Sequence, residues 1–253
     1  MFDPFNYPWL VLGFSVLSLW AAARIGVSIQ KWRGSSNEAT RDDFTLLIGA
    51  TLTLLGLIIG FTFSMAVERY DQRKNLEEEE ANAIGTEYVR ANLLPAADAE
   101  KVHTLLKGYL DQRIIDYSNS VPQERRRVVI QTAKLQNELW SAVQAPAMAQ
   151  PTAAASLILS GMNDVLNSQG YTQAAWWNRI PVAAWILLIA ISILCNLLLG
   201  YGLREKSGYV FLILPIALSI SFFLIADIDS PRRGIIHVRP QNLEALAESL
   251  RSQ

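Results

Sequence analysis

Apolar and charged positions are segregated into long blocks, and the sharpest junction falls at Glu68. From Phe44 to Val67 the chain is almost uncharged. About 20 apolar residues rising 1.5 Å each cross the hydrocarbon core of a bilayer, so this block predicts a transmembrane helix. Beyond Glu68 the sequence ERYDQRKNLEEEEANAIGTEYVRANLL is rich in strong helix formers, with no proline before Pro95. Nothing stops the helix at the membrane surface. The pattern predicts one rod that begins in lipid and ends in water.

Three further apolar blocks flank a polar middle. Trp9–Ala23 is the first, long enough to span if it runs to Ile29 with Arg24 snorkelling to the headgroups, and Tyr7, Trp9 and Trp20 are its interfacial aromatics. Residues 34–43 form a polar loop in which Thr40 or Asp42 caps the rod. Trp176, Trp177 and Trp185 mark return to the bilayer. Ile180–Leu203 and Tyr209–Ala226, the latter kinked at Pro215, are joined by the hairpin GLREKSG.

In the polar middle, residues 96–118 carry Val102, Leu105, Leu106, Tyr109, Leu110, Arg113, Ile114 and Tyr117 at helical spacing. A helix from Pro122 to about Val143, a break over Ala145–Pro151 and a helix from Thr152 to Asn167 capped by Gly170 follow. Leu243, Leu246 and Leu250 mark a terminal amphipathic helix. The expected fold is an all-α membrane protein of four transmembrane helices. A soluble helical bundle is inserted between the second and third, and the second helix continues out of the membrane. The expected divisions are 1–67 for the first two spans, 68–177 for the soluble bundle, 178–228 for the last two spans and 229–253 for the C-terminal segment.

The membrane half of the rod is two-faced. At 100° per residue Gly49, Thr53, Gly56, Leu57, Gly60, Phe61 and Ser64 share one side, and Leu55, Ile58, Ile59, Thr62 and Ala66 share the other. Gly56, Gly60 and Ser64 form a small-residue ridge of the kind that brings helices together in lipid, so one use of the first face is packing within the subunit. The other use places Leu57 and Phe61 around the axis of an oligomer, where apolar rings constrict a pore by dewetting.

Composition narrows the chemistry. The 253 residues are 51% apolar with a net charge of −1, which gives no electrostatic basis for nucleic-acid binding. Cys195 is the single cysteine, so no intramolecular disulfide forms. His103 and His237 are far apart in sequence, and no metal site is expected. No nucleophile–base set, phosphate-binding glycine loop or zinc-protease helix is present, so no catalytic residues, no cofactor and no enzymatic activity are expected.

The charged positions that remain lie along the rod and after the last apolar block. Glu77–Glu80 point in four directions and cannot converge on one ion from one chain. One reading makes them a solvated helix surface, the other a ring of carboxylates around an axis. Arg69 and Arg73, one turn apart, either anchor headgroups and pair with Asp71 and Glu77 or attract anions at a pore exit. The expected vestibule charges are therefore Arg69, Arg73, Glu77 and Glu80. Asp227, Asp229, Arg232 and Arg233 form a salt-bridge segment expected to pair with the Arg69–Glu80 stretch.

Two segments, GFTFSMAVERYDQRKNLEEEEANAIGTEY (60–88) and DIDSPRRG (227–234), resemble a large family of bacterial membrane proteins described as bestrophin-like. A fainter similarity to bestrophin channels themselves covers residues 56–80, carried by Gly60-Phe61 and Arg69-Tyr70. The resemblance implies a homopentamer of four-span subunits in the bacterial inner membrane. It also implies a pore lined by the second helix, a cytoplasmic helical domain and cytoplasmic termini. Matched on Gly60-Phe61, the neck would be Thr53, Leu57 and Phe61. Thr53 departs from the family's apolar triplet, and Tyr70 stands where the family has tryptophan. The partners implied are the lipid bilayer, copies of the same chain and small inorganic ions. The competing expectation is a non-conducting, membrane-anchored helical scaffold.

Overall fold

The computed structural model describes residues 7–33, 38–118, 122–202 and 210–252. Among them the fold is all helical, with eight α-helices: α1 (Pro8–Arg33), α2 (Glu38–Arg90), α3 (Ala96–Ser118), α4 (Pro122–Ala149), α5 (Ala153–Trp177), α6 (Val182–Gly202), α7 (Val210–Asp229) and α8 (Gln241–Arg251). Four helical stretches are long and apolar enough to cross a membrane, Pro8–Trp32, Leu212–Asp229, and one each within Phe44–Leu93 and Ala153–Gly202. α2 runs 53 residues without interruption. It starts ahead of Thr40 and Asp42, so neither caps it. Most of the GLREKSG hairpin lies outside the described residues.

The chain divides into two compact units, Met1–Arg69 with Arg179–His237, and Tyr70–Asn178 with Val238–Gln253. In the first, α1 packs on α6 and α7. The α1–α6 crossing is made of small residues. A methyl added at Gly26 would collide with the backbone of Leu197 and Tyr201, and one at Gly200 with the backbone of Ala23. Hydrophobicity cannot drive helices together in lipid, so this close approach is what van der Waals attraction needs. Trp185 and Phe222 fill the interior edge to face, 6.4 Å between ring centres. Asn196, a buried polar residue of α6, bonds within its own helix, its Nδ2 donating to the Ser192 carbonyl at 2.8 Å.

The second unit has a true apolar core, built from Ile84, Val102, Leu106, Leu110, Leu139, Val143, Ile158, Met162 and Leu243 among others. α3 packs on α4 and on α8, and α4 on α5. Leu94 is extended ahead of Pro95 and ends the turn that follows α2, because an α-conformation before proline clashes with its ring.

The break expected over Ala145–Pro151 is confined to residues 150–152, and the helix end expected at Gly170 is absent. α4 continues through Pro146 to Ala149, where a proline in the last turn removes a single backbone bond. α5 continues through Gly170 to Trp177, which brings Thr172, Ala175 and Trp176 onto its buried face. A glycine inside a helix costs about 1 kcal/mol. Burial of an indole outweighs that.

Candidate functional site

The seven residues assigned to the outer face of α2 are all exposed, with Leu57 54% and Phe61 63% accessible. A methyl at Gly49, Gly56 or Gly60 would meet nothing within 4 Å. Thr45, Leu46, Gly49 and Ala50 line an open groove on the same helix. Across the helix, Leu55, Thr62 and Ala66 are buried. Among the described residues, therefore, the ridge is not used for packing. The small residues that are so used, Gly26 and Gly200, were not singled out from the sequence. A glycine in an apolar run carries no mark of which neighbour will approach it.

The Thr53 hydroxyl donates to the carbonyl of Gly49, one turn earlier on the same face, at 2.9 Å. A threonine whose hydroxyl is satisfied by its own helix is less polar than a free one, which lessens its departure from an apolar triplet.

Past the apolar part, a single inward seam at heptad spacing carries Arg73, Glu77, Glu80, Ile84 and Glu87, all buried. Three of the four expected vestibule charges are on it, so Arg73, Glu77 and Glu80 are not solvated pore charges. Each is used within its own unit. Arg73 donates to the carbonyls of Ala175 and Asn178 at 3.3 and 3.2 Å, completing the C-terminal end of α5, where a cation suits the helix dipole.

Glu77 does the reverse at the start of α8. Its carboxylate accepts the Asn242 and Leu243 backbone N–H groups at 2.9 and 3.0 Å and the Asn242 side-chain amide at 2.6 Å. Burial raises its pKa above the ordinary carboxylate value, and the Leu243 and Asn242 donors oppose the rise. Glu80 pairs with Arg113, which also holds Asp116 at 3.0 Å, and the hydroxyls of Tyr117 and Thr172 lie 3.3 Å from Glu80 Oε2. Burial alone would lower the Arg113 pKa, but Glu80 outweighs it and holds the guanidinium firmly charged. Tyr117 is pushed up, by burial first and then by Glu80. Glu78 and Glu79, at the intervening positions, are exposed. Arg69 is half-buried.

Arg113 has a sequence signal, as an arginine on the otherwise apolar face of α3. Glu87 has one too, a carboxylate one heptad beyond Glu80.

In the first unit, the segment after α7 is closed by its own backbone. Asp227 accepts the Ile235 N–H at 2.9 Å and the Ile236 N–H at 2.8 Å. Gly234 sits at φ +113°, against a carboxylate that a side chain there would strike. Asp229 takes Arg179 Nε at 3.1 Å and the Ile180 N–H at 3.2 Å, tying the end of α7 to the residues before α6. Arg233 lies over the Tyr7 ring at 4.4 Å. Asp227, Asp229 and Arg233 thus each have these partners inside their own unit.

A family model described as the bestrophin-like domain matches residues 14–243. Among curated proteins no sequence match is found. The fold is similar to crystal structures of a bacterial bestrophin homologue from Klebsiella pneumoniae. One point mutant superposes with a TM-score of 0.66 at 16% identity, over 97% of this chain and 98% of that one. A second structure of that homologue gives 0.63 at 18% identity, over 95% and 94%.

Proposed function

The chain belongs to the bestrophin-like family, and from that premise we propose that it is a homo-oligomeric ion channel of the bacterial inner membrane whose pore is lined by α2. The observation that carries this reading is the two-sidedness of the apolar part of α2. Leu55, Thr62 and Ala66 are buried on one side, while Thr53, Leu57 and Phe61 stand exposed along a side whose Gly49, Gly56 and Gly60 have no other described residue within 4 Å of where a methyl would sit. A helix that kept its small residues for lipid alone would gain nothing from them. Copies arranged about an axis give that face an environment, and rings of Leu57 and Phe61 narrow the passage between them.

In this reading the soluble bundle is the insertion between the second and third spans, the second helix leaves the membrane as a continuous rod, and the termini share the cytoplasmic side with the bundle. The assembly is a pentamer, as the family resemblance implies, and the bilayer and small inorganic ions are its partners. With Arg73, Glu77 and Glu80 committed to the core of their unit, the exposed Glu68, Asp71, Lys74, Glu78 and Glu79 are the rod charges available to meet permeating ions. No side chain is assigned a catalytic role.

Mass measurement in a lipid-like detergent followed by single-channel recording in planar bilayers tests the proposal. The expected result is an oligomer with discrete currents. A monomer, or an oligomer that passes no current, overturns it and leaves a membrane-anchored scaffold.

A further inference from the structure

Glu87 continues the inward seam of α2 one heptad beyond Glu80, and its side chain is wholly buried. Glu77 and Glu80 are surrounded by donors. Neither oxygen of Glu87 accepts a hydrogen bond from the described residues. The cation beside it, Arg90, is part-exposed and stands 4.0 Å away on the same helix. From α5 it is faced by Gly161, where even a methyl would collide with the Glu87 carboxyl and the Arg90 guanidinium. Asp164, exposed one turn further along α5, adds a like charge. From α3, His103 and Lys107 engage the neighbouring Tyr88, His103 Nε2 lying 2.8 Å from its carbonyl and Lys107 Nζ 5.5 Å from its ring centre.

A carboxyl that has given up water without gaining donors is cheaper neutral than charged. Burial raises its pKa to about 8, with Arg90 opposing and Asp164 adding to the rise. We propose that Glu87 is a proton-operated latch between α2 and α5: protonated, it lets Gly161 close onto it, and on ionisation the two helices part at this point to admit water. A side chain at Gly161 would have to displace the Glu87 carboxyl and the Arg90 guanidinium that fill the notch there. A charged carboxylate needs solvating donors, and the closed notch has no room for them.

The test is hydrogen exchange of segment 153–168 in the full-length protein in lipid-like detergent, each rate normalised to the unfolded peptide at the same pH, over about pH 5.5 to 9.5. Local opening of α5 is expected to grow by up to about tenfold per pH unit and to level off above about pH 8. Glu87→Gln removes the dependence. Asp164→Asn shifts the levelling to lower pH and Arg90→Gln to higher pH. A pH-independent wild type, or an unchanged slope in Glu87→Gln, overturns the latch. Should Glu87→Gln fail to fold, the two variants at accessible positions decide, and absence of opposite shifts in them overturns it equally.

Discussion

Gly26 faces Gly200 where α1 crosses α6, at a distance that leaves no room for a methyl on either. The backbones themselves are the packing surface, with Leu19, Ala22 and Ala23 buried alongside. Overpacking a fitted interface costs roughly 1–3 kcal/mol. Gly200→Ala and Gly26→Ala are therefore expected to lower the thermal midpoint in detergent. Gly170→Ala is the control: it sits mid-helix with open space around its Cα, and it should be neutral or stabilising by about 0.4–1 kcal/mol.

The buried pair of Glu80 and Arg113 should behave asymmetrically. Removing one partner strands a charge in the core, at a cost of roughly 3–5 kcal/mol. Arg113→Met alone is thus expected to unfold the second unit at markedly lower denaturant. The double variant Glu80→Leu with Arg113→Met should recover much of the loss, since apolar residues of similar size often replace such pairs at little net cost. A double-mutant cycle on unfolding midpoints measures it, and additive losses would contradict a coupled pair.

Glu77 supplies the N–H partners that the first turn of α8 otherwise lacks. Glu77→Ala should free α8 while the core contacts of α3 with α4 persist. Loss of a cap of this kind costs about 0.5–2 kcal/mol. Hydrogen exchange of residues 241–251 should rise in the variant, with exchange of 102–110 unchanged.

Part of this arrangement is legible in the sequence and part is not. The division of α2 into two faces follows from residue spacing at 100° per residue, but spacing does not say whether the glycine-lined face packs inside the subunit or is left exposed. The Glu77–Glu80 run gives no such guide. Adjacent carboxylates point to different environments, and which are buried depends on partners as distant in sequence as Arg113, Thr172 and Asn242. Pro146 and Gly170 are helix breakers by propensity, and tertiary burial on α4 and α5 overrides them.

Stability should fall, not rise, as pH increases from the acid side. Glu87 holds its proton up to about 8 when folded, against 4.5 for an ordinary carboxyl. The folded chain therefore binds more protons than the unfolded chain across that window, and unfolding becomes easier with each pH unit. The contribution is fully present below 4.5 and lost by about 8. Glu77 is shifted in the same direction. Tyr109 and Tyr117, raised by burial, add a further decline at strongly alkaline pH. Thermal midpoints across this range should decline in the wild type, and less steeply in Glu87→Gln.

Conduction offers the most direct reading of the outer face of α2. If Leu57 and Phe61 ring the axis, shortening either side chain widens an apolar constriction and lowers its tendency to dewet. Leu57→Ala and Phe61→Ala are expected to raise single-channel conductance severalfold. Thr53→Ile, one turn earlier, should lower it by adding apolar bulk at the position where the hydroxyl is already turned back onto the helix. Substitutions on the opposite face probe packing instead. Leu55→Ala, at a buried site, should reduce stability by about 2–5 kcal/mol and leave the conductance of the surviving channels unaltered. Equal currents from wild type, Leu57→Ala and Phe61→Ala would place the constriction elsewhere.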